Sequence, residues 1–117
     1  MVASDQIGSA TYTLDAASTI LEVCQKGPAG LYHLSNAGTC SRYELAVEAA
    51  KLAGLDSSLV VGVPQEQMKR PAPRLKYSVM EMAALRSANL AVLRPWQAAL
   101  QEYIAGLTKQ SPRPAAL

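Results

Sequence analysis

Cys40-Ser-Arg-Tyr-Glu-Leu-Ala-Val-Glu-Ala-Ala-Lys-Leu-Ala-Gly54, followed by the aliphatic run Leu59-Val-Val-Gly-Val63 and Pro64, is the stretch from which the fold can be read. Ser41 and Glu44 have the spacing of a capping box, in which the Ser hydroxyl accepts from the Glu44 amide and Glu44 reaches back to the Ser41 amide. Leu45, Ala46, Ala49, Leu52 and Ala53 then share one helix face, with Glu44, Glu48 and Lys51 on the wet side. Gly54 stands where a C′ residue closes a helix. Leu59 to Val63, β-branched and aliphatic and stopped by proline, predicts a strand.

Upstream, Gly30 to Leu34 predicts a short buried strand before a Ser-Asn-Ala-Gly turn. A helix from about Leu14 to Lys26 precedes it, with Thr13 as N-cap, Asp15 at the positive end of the helix dipole and Gly27-Pro28 as the stop. Leu31–Leu34 and Leu59–Val63 are expected to be parallel strands, the helix of Ser41–Ala53 crossing between them right-handedly. Downstream, Pro71 and Pro73 exclude regular structure from a basic loop, Lys69 to Lys76. Ser78 and Glu81 repeat the capping-box spacing and predict a short helix through about Arg86. Pro95 suits position N1 of a last helix, whose apolar face is Trp96, Ala99, Leu100, Tyr103, Ile104 and Leu107. Trp96 at that spacing is a core residue. The organisation is one domain over 1–107 and a tail over 108–117 that lacks periodicity and reads as disordered. The pattern is α/β, a small partial parallel sheet with flanking helices. A parallel sheet needs cover on both faces, so such a set is incomplete alone and reads as part of a larger fold.

Composition narrows the functions. The 117 residues include no Phe and one Trp, so the core must be thin and helix-rich. Net charge is +2, too small to make nucleic acid the main partner. No apolar run approaches the ~20 residues that span a bilayer, and Asp5 and Gln6 interrupt any signal-peptide pattern, so a cytoplasmic protein without membrane partners is expected. Cys24 and Cys40 read as two reduced packing thiols. With one histidine, His33, and no ligand pair at metal-binding spacing, no metal site is expected. His33 itself falls in the Leu31–Leu34 strand and reads as a hydrogen-bonded strand residue rather than a catalytic base.

Four segments carry a family resemblance: Ser4 to Thr13, Gly30 to Asn36, Cys40 to Ala46, and Arg70 to Ser78. In this order they resemble the C-terminal, substrate-binding half of the dTDP-4-dehydrorhamnose reductase family, within the extended short-chain dehydrogenase/reductases. The resemblance runs roughly from Val2 to Leu107. It implies a parent enzyme that reduces dTDP-6-deoxy-L-lyxo-4-hexulose to dTDP-L-rhamnose with NADPH or NADH. It further implies that a dTDP-sugar contacts this part of the chain and that an N-terminal cofactor domain is its partner. Relatives often pair through helices of the half absent here, which allows a homodimer. The other function weighed is a non-catalytic binding subunit on the same fold, like the regulatory subunit of methionine adenosyltransferase.

The chemistry of hydride transfer is missing from this stretch. A short-chain reductase needs a glycine-rich turn for the pyrophosphate and a Tyr-x-x-x-Lys pair to protonate the carbonyl. The residues four places after the five tyrosines are Ala16, Asn36, Val47, Glu81 and Leu107, and His33 stands where a third glycine would follow Gly27 and Gly30. No catalytic and no cofactor-binding residues are therefore assigned, and the chain alone is expected to be inactive. The substrate side is present. Lys69, Arg70, Arg74 and Lys76 set four cations in eight residues without an acid, and an Arg fork matches phosphate oxygens. The resemblance implies Arg74 as the main phosphate partner, with Arg70 beside it and Leu75 where the family has Pro. It also implies that Gln6 and Thr11 pass beside the sugar nucleotide, with Ala10 in place of the usual Pro.

Overall fold

The structure, a computed structural model, describes residues 1–110. Its helices follow from local chemistry. In α2 (Arg42–Leu52) the capping box is complete: the Glu44 amide donates to Ser41 Oγ at 3.0 Å and the Ser41 amide to Glu44 Oε2 at 2.6 Å. Gly54 follows with φ of +68°, a conformation a side chain would resist. Helix α1 (Thr13–Lys26) ends where expected, the Gly27 amide bonding Val23 O at 2.8 Å. Its start differs by one residue. Tyr12 is the N-cap and Thr13 is already helical, because Asn36 Oδ1 captures the Tyr12 amide at 2.7 Å and holds the entry to the helix. The last helix, α4 (Trp96–Gln110), begins one residue after Pro95 and runs past the expected end at Leu107. The rest of the expected tail lies outside the described residues.

The strands are short. β1 (Val2–Ala3) pairs in parallel with β4 (Gly62–Val63), Val2 opposite Gly62 and Ala3 opposite Val63. β2 (Ile7–Gly8) pairs antiparallel with β3 (Cys40–Ser41). Gly62 lets α2 approach the sheet: a Cβ there would stand 2.9 Å from the Tyr43 ring. The architecture is thus α/β with a short parallel pair, but not the pair expected. Leu59 closes a 3-10 turn, Ser57–Leu59, and only Gly62–Val63 of the run is strand. Leu31–Leu34 makes no ladder among the described residues, since no neighbouring strand reaches it. Its period-two burial survives: Tyr32 and Leu34 pack on the core while Leu31 and His33 are exposed. His33 is therefore not the hydrogen-bonded strand residue expected.

The predicted capping box at Ser78 is also absent. The Ser78 amide bonds Ile7 O at 2.9 Å, which keeps the residue extended, while Glu81 turns to Arg86 at 2.9 Å. Helix α3 (Ala83–Ser87) starts after Met82 without a side-chain cap. Met82, Leu85, Leu90 and Leu93 form the core, with Val23, Tyr32, Leu34 and Ala88 packed on it. It is thin, as the missing phenylalanines foretold. Trp96 is buried, as expected of a core residue, whereas α2 has no fully buried residue and its apolar face is only half covered. Both cysteines are free; Cys40 is buried, Cys24 exposed.

A candidate anion-binding site

Two segments converge beside β2. The loop from Arg70 to Ser78 is stitched to it by Ile7 N–H to Lys76 O at 2.8 Å and Ser78 N–H to Ile7 O at 2.9 Å. The start of α2 is tied to it by Arg42 N–H to Gln6 O at 3.2 Å. Between them lies a cavity of about 590 Å³, lined among others by Gln6, Arg42, Arg70, Arg74 and Ser78. The Gln6 side chain is buried and held by Gln65, its Nε2 donating to Gln65 Oε1 at 2.8 Å.

The four loop cations have different fates. Lys76 faces carboxylates, 3.1 Å from Glu66 and 3.9 Å from Asp5, and these acids, Glu66 first, hold its ammonium above the usual lysine range. Glu66 is shifted down, first by its own backbone amide and then by Lys76. Lys69 takes a left-handed conformation, φ +45°, ending the 3-10 turn Gln65–Met68, and does not line the cavity. Arg70 and Arg74 line it and have no carboxylate partner among the described residues.

Sequence reasoning missed Arg42. Counting cations within one loop could not reveal a residue contributed by the first turn of a distant helix. The one signal was a cation at the N-terminal end of a capped helix, where the dipole disfavours it.

Thr11 is not brought to this cavity. It lies on a second cleft of about 360 Å³, with Tyr12, Asn36, Trp96, Leu100 and Tyr103 among its walls. The Tyr12 and Tyr103 rings meet edge-on at 6.0 Å, and the Arg94 guanidinium lies 5.8 Å from the Tyr12 centroid. Behind them Arg94 clasps Asp15 through two bonds of 2.9 and 3.0 Å, Asn36 Nδ2 adds a third at 2.7 Å, and Arg94 also meets Glu102 at 2.6 Å. The Arg94 hydrogen bonds, against opposing burial, hold the Asp15 carboxyl below its ordinary range.

Among the described residues no cluster of His, Cys, Asp or Glu could hold a metal ion, and no helix is long and apolar enough to cross a membrane. Gly27 and Gly30 lie at the C-terminal end of α1, whereas a pyrophosphate is held at a helix N-terminus.

The family described as RmlD substrate binding domain matches residues 1–109. The chain belongs to this family. It is 40% identical over 103 residues to the spore coat polysaccharide biosynthesis protein SpsK of Bacillus subtilis, covering 88% of this chain and 35% of that protein. A dTDP-4-dehydrorhamnose reductase of Mycolicibacterium smegmatis is 36% identical over 118 residues, 97% of this chain and 36% of the relative. Among solved structures, a dTDP-4-dehydrorhamnose reductase from Clostridium acetobutylicum superposes with a TM-score of 0.84 at 36% identity, over 92% of this chain and 38% of that one. The Bacillus anthracis reductase, solved with NADP, gives 0.83 at 31% identity over 90% and 37%. This RmlD-family chain therefore spans little more than a third of the length of the relatives it matches.

Proposed function

We propose that this domain binds the dTDP-sugar substrate of a dTDP-4-dehydrorhamnose reductase, with Arg74 and Arg70 meeting the diphosphate and Gln6 beside the nucleotide sugar. The parent reaction is reduction of dTDP-6-deoxy-L-lyxo-4-hexulose to dTDP-L-rhamnose, with NADPH or NADH held by another part of the protein. The observation that carries this is a cavity lined by arginines that have no carboxylate partner among the described residues, in a chain of the substrate-binding family. A guanidinium offers planar paired donors to phosphate oxygens and is weakly hydrated, so an unpaired one facing a cavity is suited to an anionic ligand. Gln65 would serve as a positioning residue, fixing the Gln6 amide. Thr11 belongs to the aromatic cleft, and its proposed contact would be to a different portion of the ligand. The same reading assigns the proton-donating and hydride-transfer steps to residues outside this chain.

Amide chemical-shift mapping of the chain with dTDP tests the assignment. The expected perturbations cluster at Gln6–Gly8, at the start of α2 and along Arg70–Ser78. Perturbations confined to the Tyr12–Tyr103 cleft, or none at millimolar dTDP, would overturn it.

A further inference from the structure

The five described arginines divide cleanly. Arg86 pairs with Glu81 and Arg94 with Asp15 and Glu102. Arg42, Arg70 and Arg74 have no carboxylate partner among the described residues, and all three line the same cavity. The nearby acids are otherwise engaged. Glu44, two residues from Arg42, is held by the Ser41 amide at 2.6 Å. Asp5 accepts from the Gln65 amide at 2.8 Å and, with Glu66, faces Lys76.

Arg42 is the least expected of the three. It opens α2, where the helix dipole opposes a positive charge, and the acid of that turn, Glu44, is bound to the Ser41 amide rather than paired with it. Packing does not account for a cation there, since the residue is exposed and lines the cavity. Its backbone is pinned to Gln6 O, so the side chain leaves a fixed point beside Gln6.

We infer that Arg42 is a third anion-binding arm, and that with Arg70 and Arg74 it makes the pocket select a diphosphate over a single phosphate group. One phosphate can satisfy the two arginines of the Arg70–Arg74 loop. A third guanidinium, carried by a separate element, adds donors and charge that a second phosphate can use. The inference rests on the proposal that the pocket receives the nucleotide diphosphate, and it names a specificity residue within it.

The test is titration of the 117-residue chain with dTDP, dTMP and inorganic pyrophosphate at low salt, alongside Arg42→Gln, Arg42→Lys and Arg74→Gln. Arg42→Gln is expected to weaken dTDP and pyrophosphate about 5–10-fold and dTMP less than about twofold, an exposed charge-assisted contact lying at the low end of its range. Arg42→Lys should recover part of the loss, because the charge returns without the fork. Thermal unfolding of Arg42→Gln should be unchanged or slightly raised, which separates binding from folding. If Arg74→Gln weakens dTDP while Arg42→Gln leaves the dTDP-to-dTMP ratio untouched, the inference is wrong and the substrate reading stands. If the unaltered chain shows no saturable dTDP binding, or neither variant changes it, the underlying reading fails as well.

Discussion

The corner between α1 and α4 and the pocket beside β2 treat charge in opposite ways. In the corner, Asp15, Arg94, Glu102 and Asn36 satisfy one another, and every buried polar side-chain atom among the described residues has a partner. In the pocket, Arg42, Arg70 and Arg74 face open space while nearby acids are drawn off by Lys76 and a helix cap. The corner is built to hold the fold. The pocket leaves its arginines without carboxylate partners among the described residues, the arrangement expected of an anion site rather than of a structural ion pair.

The sharpest way to break this contrast is Asn36→Ala. Asn36 is 1% exposed, accepts from the Tyr12 amide and donates to Asp15 and to Arg94 O. Losing these bonds leaves buried partners unsatisfied and is expected to cost about 3 kcal/mol, or roughly 12 °C in Tm for a domain of this size. Calorimetry would show this; a loss below roughly 4 °C would mean the corner is not the clamp it looks.

Arg74→Ala should do the reverse. It is expected to leave Tm unchanged and weaken dTDP about tenfold at low salt, with Arg74→Lys recovering only part. Isothermal titration reads the affinity and thermal melts read the stability. A destabilised variant with normal affinity would put Arg74 on the structural side of the contrast.

How far the sequence showed this division depends on the range of the interactions concerned. The Ser41–Glu44 cap and the Gly54 terminus were legible because their partners lie within one helical turn. Leu31–Leu34, expected to be a strand, is not one, because strand character is conferred by a neighbour, and the segment keeps only the alternation that a neighbour would have used. Ser78 and Glu81 had capping-box spacing, but the long-range bond from Ser78 to Ile7 outweighed it. Of the substrate-binding residues expected from the sequence, Arg70, Arg74 and Gln6 line one cavity, whereas Thr11 lies on the aromatic cleft. Arg42 was missed because its pocket forms only when α2 docks on Gln6.

Acid tests whether the corner acts through charge. The Asp15 carboxyl is held below the ordinary carboxylate value, chiefly by the Arg94 hydrogen bonds. A depressed folded-state value contributes stability that is full above the ordinary value, about 3.9, and is lost as pH falls through the lowered one. Asp15→Asn should therefore melt roughly 4 °C below the unaltered chain at neutral pH, and the gap should close below about pH 4. A gap that stays constant down to pH 2.5 would show that Asp15 acts through shape rather than charge.

The smallest effect concerns Lys76, which the sequence grouped with the anion-binding cations and the structure turns toward Glu66 and Asp5. If its role is to keep those carboxylates away from Arg70 and Arg74, Lys76→Gln should weaken dTDP about two- to threefold, the scale of an exposed ion pair. A direct phosphate contact would also weaken binding, so the single variant cannot separate the two roles. A double-mutant cycle can. In a Glu66→Gln background the closer carboxylate, 3.1 Å from Lys76 Nζ, no longer carries charge, and removing Lys76 should then change little. A Lys76→Gln penalty that persists undiminished in that background would mean that Lys76 itself reaches the ligand. The unpaired charge of the pocket would then be four cations rather than three arginines, and the line between paired and unpaired regions would have to be drawn on the other side of Lys76.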